Sequence, residues 1–392
     1  MTTPPKSIVR RTPWPSSSSR PVGTPLQPSV VYASASPDAL DDQYEGRTAG
    51  YTYAREAHPN ADVLASKIDA LEGVSGGIIT SSGMAAISAT FFALLNSGEH
   101  VIGADQLYGR SLRMMNEELP RMGIQTSLAD PTDVSAFQAA IRPNTKMMLI
   151  ELVSNPTLRV ADIEGISRLA RDRGILLVVD NTFTTPRGFC PFERGADIVI
   201  HSVTKLLAGH SDVTLGYVVA RDTALQTAIT GTAVTLGLTP SPFDCWLAER
   251  GLYSFELRYD RAEENAKKLA DALSELENVN RVLYPTRRDH PDHNRAVDML
   301  GARGGNMVSF ELHGGRDAAN RMVQGAPNIA FAPTLGDIGT TLSHPASSSH
   351  RALTATAREK LGMSEGFFRV SVGVEDVELL IEEFTNAVKS AC

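Results

Sequence analysis

The stretch Asp197-Ile198-Val199-Ile200-His201-Ser202-Val203-Thr204-Lys205 decides how this chain is read. Its short apolar run has the length and β-branched character of a strand buried on both faces. The run delivers a lysine set between hydroxyls and followed by Leu206-Leu207-Ala208-Gly209-His210-Ser211-Asp212. A lysine so placed has few structural uses and one strong chemical use, an imine to an aldehyde cofactor. Upstream, a second apolar run, Ile175-Leu176-Leu177-Val178-Val179, ends in Asp180-Asn181-Thr182. Pyridoxal phosphate (PLP) chemistry asks for both groups: a lysine for the Schiff base and a carboxylate to keep the pyridine nitrogen protonated.

Outward from this pair, helix and strand patterns alternate. Ala61–Leu71, Met84–Leu95, Val134–Ile141 and Ile163–Arg173 have helical periodicity, and His100–Gly103, Met147–Leu152, Ile175–Val179, Ile198–Ile200 and Gly216–Ala220 are short apolar strands. The alternation predicts an α/β fold with a mainly parallel sheet flanked by helices. Ligands in such sheets bind at the carboxyl ends of strands. Asn155, Asp180 and Lys205 each follow a strand and are expected to converge there. Leu257–Leu276 is a long charged amphipathic helix linking to a smaller α/β region, where Met307–Leu312 and Phe368–Val372 alternate like half-exposed strands and Val374–Val388 closes the chain as a helix.

The chain has 392 residues, 42% hydrophobic and 21% charged, enough for two packed domains of ordinary globular composition. A net charge of −8 argues against nucleic acid or an anionic membrane as partner. No apolar run approaches the roughly 20 residues that cross a bilayer. Three cysteines, Cys190, Cys245 and Cys392, show no metal spacing and suit a reducing compartment, the cytoplasm. The proline-rich start, with Arg10, Arg11 and Ser16-Ser17-Ser18-Ser19-Arg20, reads as a flexible arm rather than a targeting segment.

Val179-Asp180-Asn181-Thr182 with Ser202-Val203-Thr204-Lys205 and Gly209-His210-Ser211-Asp212 resembles the Cys/Met-metabolism family of PLP enzymes. That family holds cystathionine γ-synthase, cystathionine β- and γ-lyases, methionine γ-lyase and the acyl-homoserine sulfhydrylases. The resemblance runs from about Pro25 to about Glu383 and implies a fold-type I PLP-dependent transferase fold. It implies that Lys205 forms the Schiff base and moves the Cα proton, while Asp180 pairs with the ring nitrogen, supported by Thr182. Ser81-Ser82-Gly83-Met84 opens an alanine-rich helix, whose free N–H groups suit a phosphate. By resemblance Gly83, Met84, Ser202 and Thr204 hold that phosphate. Tyr108, in Tyr108-Gly109, is implied to stack on the ring and assist proton transfer, and Asn155-Pro156 to sit beside the phenolic oxygen. Arg369 inside an apolar strand needs an anion: the substrate α-carboxylate by resemblance, or a structural salt bridge to Glu375 or Asp376. Tyr53 and Arg55 match a Tyr-x-Arg that grips a neighbouring subunit's phosphate, which implies a homotetramer built as a dimer of dimers with shared sites. The expected division is an arm over residues 1–60, a PLP-binding domain over 61–256 and a C-terminal domain over 257–392.

The substrate side departs from the family pattern. Arg110 stands where relatives carry a small residue or cysteine, and Arg187 where they have tyrosine. Their Ser-Leu-Gly-Gly-x-Glu is Thr334-Leu335-Gly336-Asp337-Ile338-Gly339 here, and His58-Pro59-Asn60 replaces Asn-Pro-Thr. Arg110, Asp337 and Tyr53 are therefore assigned to substrate binding along with Arg369. The expected reaction is γ-elimination on an amino acid with a heteroatom substituent, with γ-replacement and then β-elimination as alternatives. A nicotinamide-dependent dehydrogenase would need a Gly-x-Gly-x-x-Gly after its first strand, which is missing, and a non-catalytic binder would not need Lys205, Asp180, Tyr108 and Arg369 together.

Overall fold

The computed structural model describes residues 17–351 and 353–391. A seven-stranded sheet forms from β1 (Ile78–Thr80), β2 (His100–Ala104), β3 (Gln125–Ala129), β4 (Thr145–Glu151), β5 (Leu176–Asp180), β6 (Ile198–His201) and β7 (Gly216–Ala220), in the order β1-β7-β6-β5-β4-β2-β3. The four central pairings from β3 to β6 are parallel, and β7 alone is inverted, antiparallel to β6 and to β1. Residues Met147–Ile150, Leu177–Val179 and Ile198–Ile200 are buried, as expected for strands covered by helices on both faces. The edge strand β3 escapes sequence reading because its Gln125-Thr126-Ser127 start is polar and only Ala129 is buried. β1 is too short to show a period.

A five-stranded sheet, ordered β10-β11-β12-β9-β8, forms from β8 (Val279–Leu283), β9 (Met307–Leu312), β10 (Ala330–Phe331), β11 (Thr341–Ser343) and β12 (Phe367–Ser371). Here the expectation of half-exposed strands is corrected: every residue of β12 and all but Glu311 of β9 are buried. One face, with Val308, Phe310, Phe368 and Val370, packs on Phe384 and Leu380 of the closing helix Val377–Ser390. The other face, polar through Ser309, Arg369 and Ser371, meets the large sheet's loops: Ser309 donates to the Pro156 carbonyl at 2.6 Å. Polar alternation marks an internal interface here, not solvent.

The helix Phe255–Ser274 joins the two cores. Phe255 and Tyr259 bury with the large sheet, and Ala266, Leu269, Ala270 and Leu273 with the small one. The arm read over the proline-rich start is tied down at its end. Trp246 donates its indole N–H to the Thr24 carbonyl (2.8 Å), and Asn60 brackets Pro25 and Gln27 with two hydrogen bonds. Beyond that anchor, Val30 and Val31 lie exposed, and so does Tyr44 in the helix Pro37–Tyr44. Arg10 and Arg11 lie outside the described residues.

Candidate active site

Three adjacent parallel strands, β4, β5 and β6, end side by side, and the candidate residues sit on their carboxyl ends. Asp180 is the last residue of β5. Thr182 turns back on it, donating its N–H (3.0 Å) and its hydroxyl (2.5 Å) to Oδ1, while the Thr182 oxygen accepts the Ser202 N–H at 2.7 Å. One threonine thus ties the Asp180 turn to the segment that carries Lys205. Burial raises the Asp180 pKa, and the two Thr182 bonds and the His201 charge oppose the rise. These donors favour the ionised carboxylate that a pyridinium partner requires.

Lys205 is half-buried in a tight turn, its N–H bonded to the Ser202 carbonyl at 3.1 Å. Burial first, and then the charge of Arg369, lower its pKa below the ordinary lysine value. A neutral amine is what a proton-abstracting lysine must become. The turn is clamped from two sides. Arg258, buried in the linking helix, donates to the carbonyls of Leu206 (3.0 Å), Leu207 (3.1 Å) and Gly251 (2.9 Å). Gly336 presses its backbone against Lys205, where an added Cβ would come within 2.5 Å of the Leu206 nitrogen. Gly336 has φ +81°, a conformation open mainly to glycine.

The helix Gly83–Leu94 begins over the same strand ends. Ser82 caps it, accepting the Ala85 N–H at 3.0 Å, while the N–H groups of Gly83 and Met84 have no helical carbonyl to bond. A side chain at Gly83 would lie 2.8 Å from the Ser202 Cβ, so glycine is what lets this positive helix end close on Ser202. The Thr204 hydroxyl, in contrast, is occupied: it donates to the Leu215 carbonyl (3.1 Å) and accepts the Leu215 N–H (2.9 Å).

Arg369 on β12 reaches the site from the small sheet. It is 5% exposed and donates to Asn155 Oδ1 (2.7 Å) and the Thr334 carbonyl (2.6 Å), and its Nε is buried without a partner. Neither carboxylate named as a salt-bridge alternative touches it: Glu375 holds Thr340 and Asp376 caps the closing helix. Burial pulls its pKa down to about 10, with Tyr108 opposing. A buried guanidinium held only by neutral acceptors, with three of its five N–H groups unspent and Nε–H among them, suits an anion. Because Arg369 occupies the Asn155 oxygen, the Asn155 amide nitrogen is the end left for the site.

Tyr108 precedes the helix Gly109–Arg113, the residue is 43% exposed, and its backbone N–H donates to Glu151 Oε1 at 2.5 Å. Glu151, at the end of β4 and level with Asp180, escaped sequence reading because it looks like the last polar residue of an apolar run. So did the buried pair of His201 Nε2 and Glu72 Oε1, 2.5 Å apart behind the Asp180 turn. Arg110 is exposed, with no partner among the described residues. Asp337 is tied to the Ser211 hydroxyl and accepts the Gly339 N–H at 2.8 Å. Tyr53 and Arg55 are exposed, with the Arg55 guanidinium 5.1 Å from the Tyr53 ring centre and 3.7 Å from the Glu56 carboxylate, while the Tyr53 backbone bridges to Val31 and accepts the Glu56 and Ala57 N–H groups. They do not join Lys205 and Asp180 within one chain.

A lysine, a carboxylate across from it, a free helix end and an anion-seeking arginine fit the aldehyde, ring nitrogen, phosphate and amino-acid carboxylate of a PLP complex. The model of the Cys/Met metabolism PLP-dependent enzymes matches residues 8–389. The chain belongs to that family. It is 40% identical to the cystathionine β-lyase of Bacillus subtilis over 340 residues, 86% of each chain. It is 38% identical to an L-methionine γ-lyase of Fusobacterium nucleatum over 343 residues, 87% of each. A solved cystathionine γ-synthase from Xanthomonas oryzae, in complex with cystathionine, superposes with a TM-score of 0.89 at 37% identity, covering 94% of this chain and 93% of the other. The protein is thus a PLP-dependent enzyme with small-molecule amino-acid substrates, and no helix among its described residues is long and apolar enough to cross a membrane.

Proposed function

We propose that this enzyme catalyses γ-elimination on an amino acid with a heteroatom at Cγ (methionine, cystathionine, homocysteine or an oxygen-linked homoserine derivative), releasing a 2-oxo acid and ammonia. The observation that carries it is the pairing of two proton-handling groups: a lysine held below its ordinary pKa and an exposed tyrosine, Tyr108. γ-Chemistry removes protons from both Cα and Cβ and delivers one to the departing heteroatom, so it needs more than a single base.

Bound PLP supplies an aldehyde for the substrate amine and a protonated ring that takes up the electron pair left at Cα. Asp180 holds the ring nitrogen with its Thr182-supported carboxylate. The N–H groups of Gly83 and Met84, with the Ser202 hydroxyl, hold the phosphate, and Thr204 braces the turn through Leu215. Arg369 orients the substrate by its α-carboxylate, which sets the Cα–H bond toward Lys205. Lys205 Nζ takes the Cα proton, hands it on to the cofactor side of the bound substrate, and as a neutral amine again takes a Cβ proton. The Tyr108 ring would cover the cofactor ring, and its hydroxyl protonates the leaving group. Arg110 and Asp337, on the substrate side, bear on which leaving group is accepted.

Tyr53 and Arg55 complete the site of a neighbouring subunit in a homotetramer built as a dimer of dimers, with residues 1–60 as the reaching arm, 61–256 as the cofactor domain and 257–392 as the C-terminal domain. Exposed Val30, Val31 and Tyr44 support this reading, since apolar side chains on an extended arm favour a partner surface. Two unpaired thiols, Cys190 and Cys245, fit a cytoplasmic enzyme.

The test is mass-spectrometric product identification with cystathionine and PLP-loaded enzyme. 2-Oxobutyrate and cysteine support γ-elimination. Pyruvate and homocysteine overturn it in favour of β-elimination, the reaction named for the Bacillus subtilis relative. Intact cystathionine, with turnover of an acyl-homoserine and a thiol, overturns it in favour of γ-replacement.

A further inference from the structure

Glu151 closes β4 and stands across one rung of the ladder from Asp180, the last residue of β5. It is 7% exposed, makes no ion pair among the described residues, and accepts one hydrogen bond, the Tyr108 N–H at 2.5 Å. A carboxylate removed from water needs a cation or several donors. Glu151 has one neutral donor and an acidic neighbour. Asp180 is better provided: two donors from Thr182 converge on its Oδ1, and His201 on β6, itself held by Glu72, lies behind it. Tyr108 faces Glu151 from the loop after β2. Of the site's cations, Lys205 follows β6 and Arg369 lies on β12, where it acts on Lys205, and neither is among the groups that set the Glu151 pKa. Burial, reinforced by the Asp180 charge, drives that pKa well above the usual carboxylate range, and the Tyr108 N–H only partly opposes this. Two carboxyls at neighbouring strand ends do not both ionise cheaply, and the donors around them decide which one keeps the proton.

We propose that Glu151 is a positioning residue that works as a neutral carboxylic acid, holding the Tyr108 backbone with its carbonyl oxygen and leaving Asp180 the single negative charge available to the cofactor's ring nitrogen. The hydrogen bond fixes the backbone from which the Tyr108 ring projects. The retained proton keeps a second anion from competing with Asp180 for the ring nitrogen's proton. The inference rests on Asp180 being the partner of the PLP ring nitrogen and is the same for γ- and β-elimination, so the cystathionine products do not bear on it.

The deciding measurement is the infrared difference spectrum between wild-type holoenzyme and E151Q at neutral pH. A carbonyl stretch of a protonated carboxyl, present in the wild type and absent from E151Q, is expected. Because glutamine copies the neutral acid, the midpoint of the cofactor's pH-dependent absorbance should shift by less than about twofold in proton affinity. E151A, which removes the acceptor for Tyr108, should lower kcat by about tenfold with KM within about twofold. Absence of the carboxyl band, or an E151Q midpoint displaced by about tenfold or more, would show Glu151 ionised and overturn the proposal. If E151A does not fold, the two E151Q readouts still decide it.

Discussion

Replacing Arg369 by methionine tests the reading of the substrate clamp, and the structure sets the size of the effect. The guanidinium is 5% exposed, spends two donors on Asn155 and Thr334, and leaves Nε buried without a partner. A carboxylate bound there gains two charge-assisted hydrogen bonds, each worth about 1.5–3 kcal/mol. Losing both costs about 3–6 kcal/mol, or roughly 10²–10⁴-fold in kcat/KM. R369M also leaves the Asn155 and Thr334 oxygens without a donor, so a simple fall in activity would not distinguish lost binding from a disturbed loop. The assay therefore compares an amino-acid substrate with its α-carboxamide in both enzymes. Wild type should prefer the acid by roughly 10²–10⁴-fold, and R369M should prefer it by less than about tenfold, because loop disturbance slows both substrates alike. If R369M still discriminates as wild type does, the Arg369 charge is not what reads the carboxylate and the reasoning fails.

The remaining expectations concern the cofactor site, the assembly and acid stability. T182V removes the hydroxyl that donates to Asp180 at 2.5 Å and leaves the Ser202 N–H unpaired. The Asp180 pKa should rise and PLP dissociation should become about tenfold easier, measured by cofactor release on dilution; unaltered retention would refute the support role. Lys205→Ala should abolish turnover with the fold intact by circular dichroism, and Arg55→Ala should lose cofactor affinity. Mixed oligomers of these two variants should regain part of the activity, and no recovery would count against a shared site. His100, His290 and His350 are buried, and burial lowers each pKa to about 4. The unfolded chain therefore binds more protons than the folded one between about pH 6.5 and 4, so the stabilisation present above pH 6.5 is lost as pH falls through that window. Each histidine should contribute up to about 1.4 kcal/mol per pH unit, read from urea midpoints, and H100Q should flatten the slope by one such increment.

Strand ends were the most legible feature. Met147–Leu152, Ile175–Val179 and Ile198–Ile200 match β4, β5 and β6 within two residues at every end, because a strand covered on both faces must be apolar without alternation. The helix Ile163–Arg173 was read to the residue, with Asp162 capping its start and Gly174 its end. Alternation misled in the small sheet, where Arg369, Ser309 and Ser371 face the large sheet's loops and not water. The polar edge strand β3 and the two-residue β10 carried no readable period.

Within the site, the sequence by itself pointed to the cofactor chemistry: Lys205 and Asp180 each stand at the end of an apolar strand, and parallel strands present those ends on one edge of the sheet. The tertiary structure alone decided the electrostatics. That Arg369 lacks a carboxylate, that Arg258 clamps the carbonyls after Lys205 from the linking helix, and that Glu151 faces Asp180 with a single donor all depend on residues far apart in the chain. The charge state of a buried group is set by the donors and charges that packing brings within a few ångströms, and no local pattern of residues encodes that set.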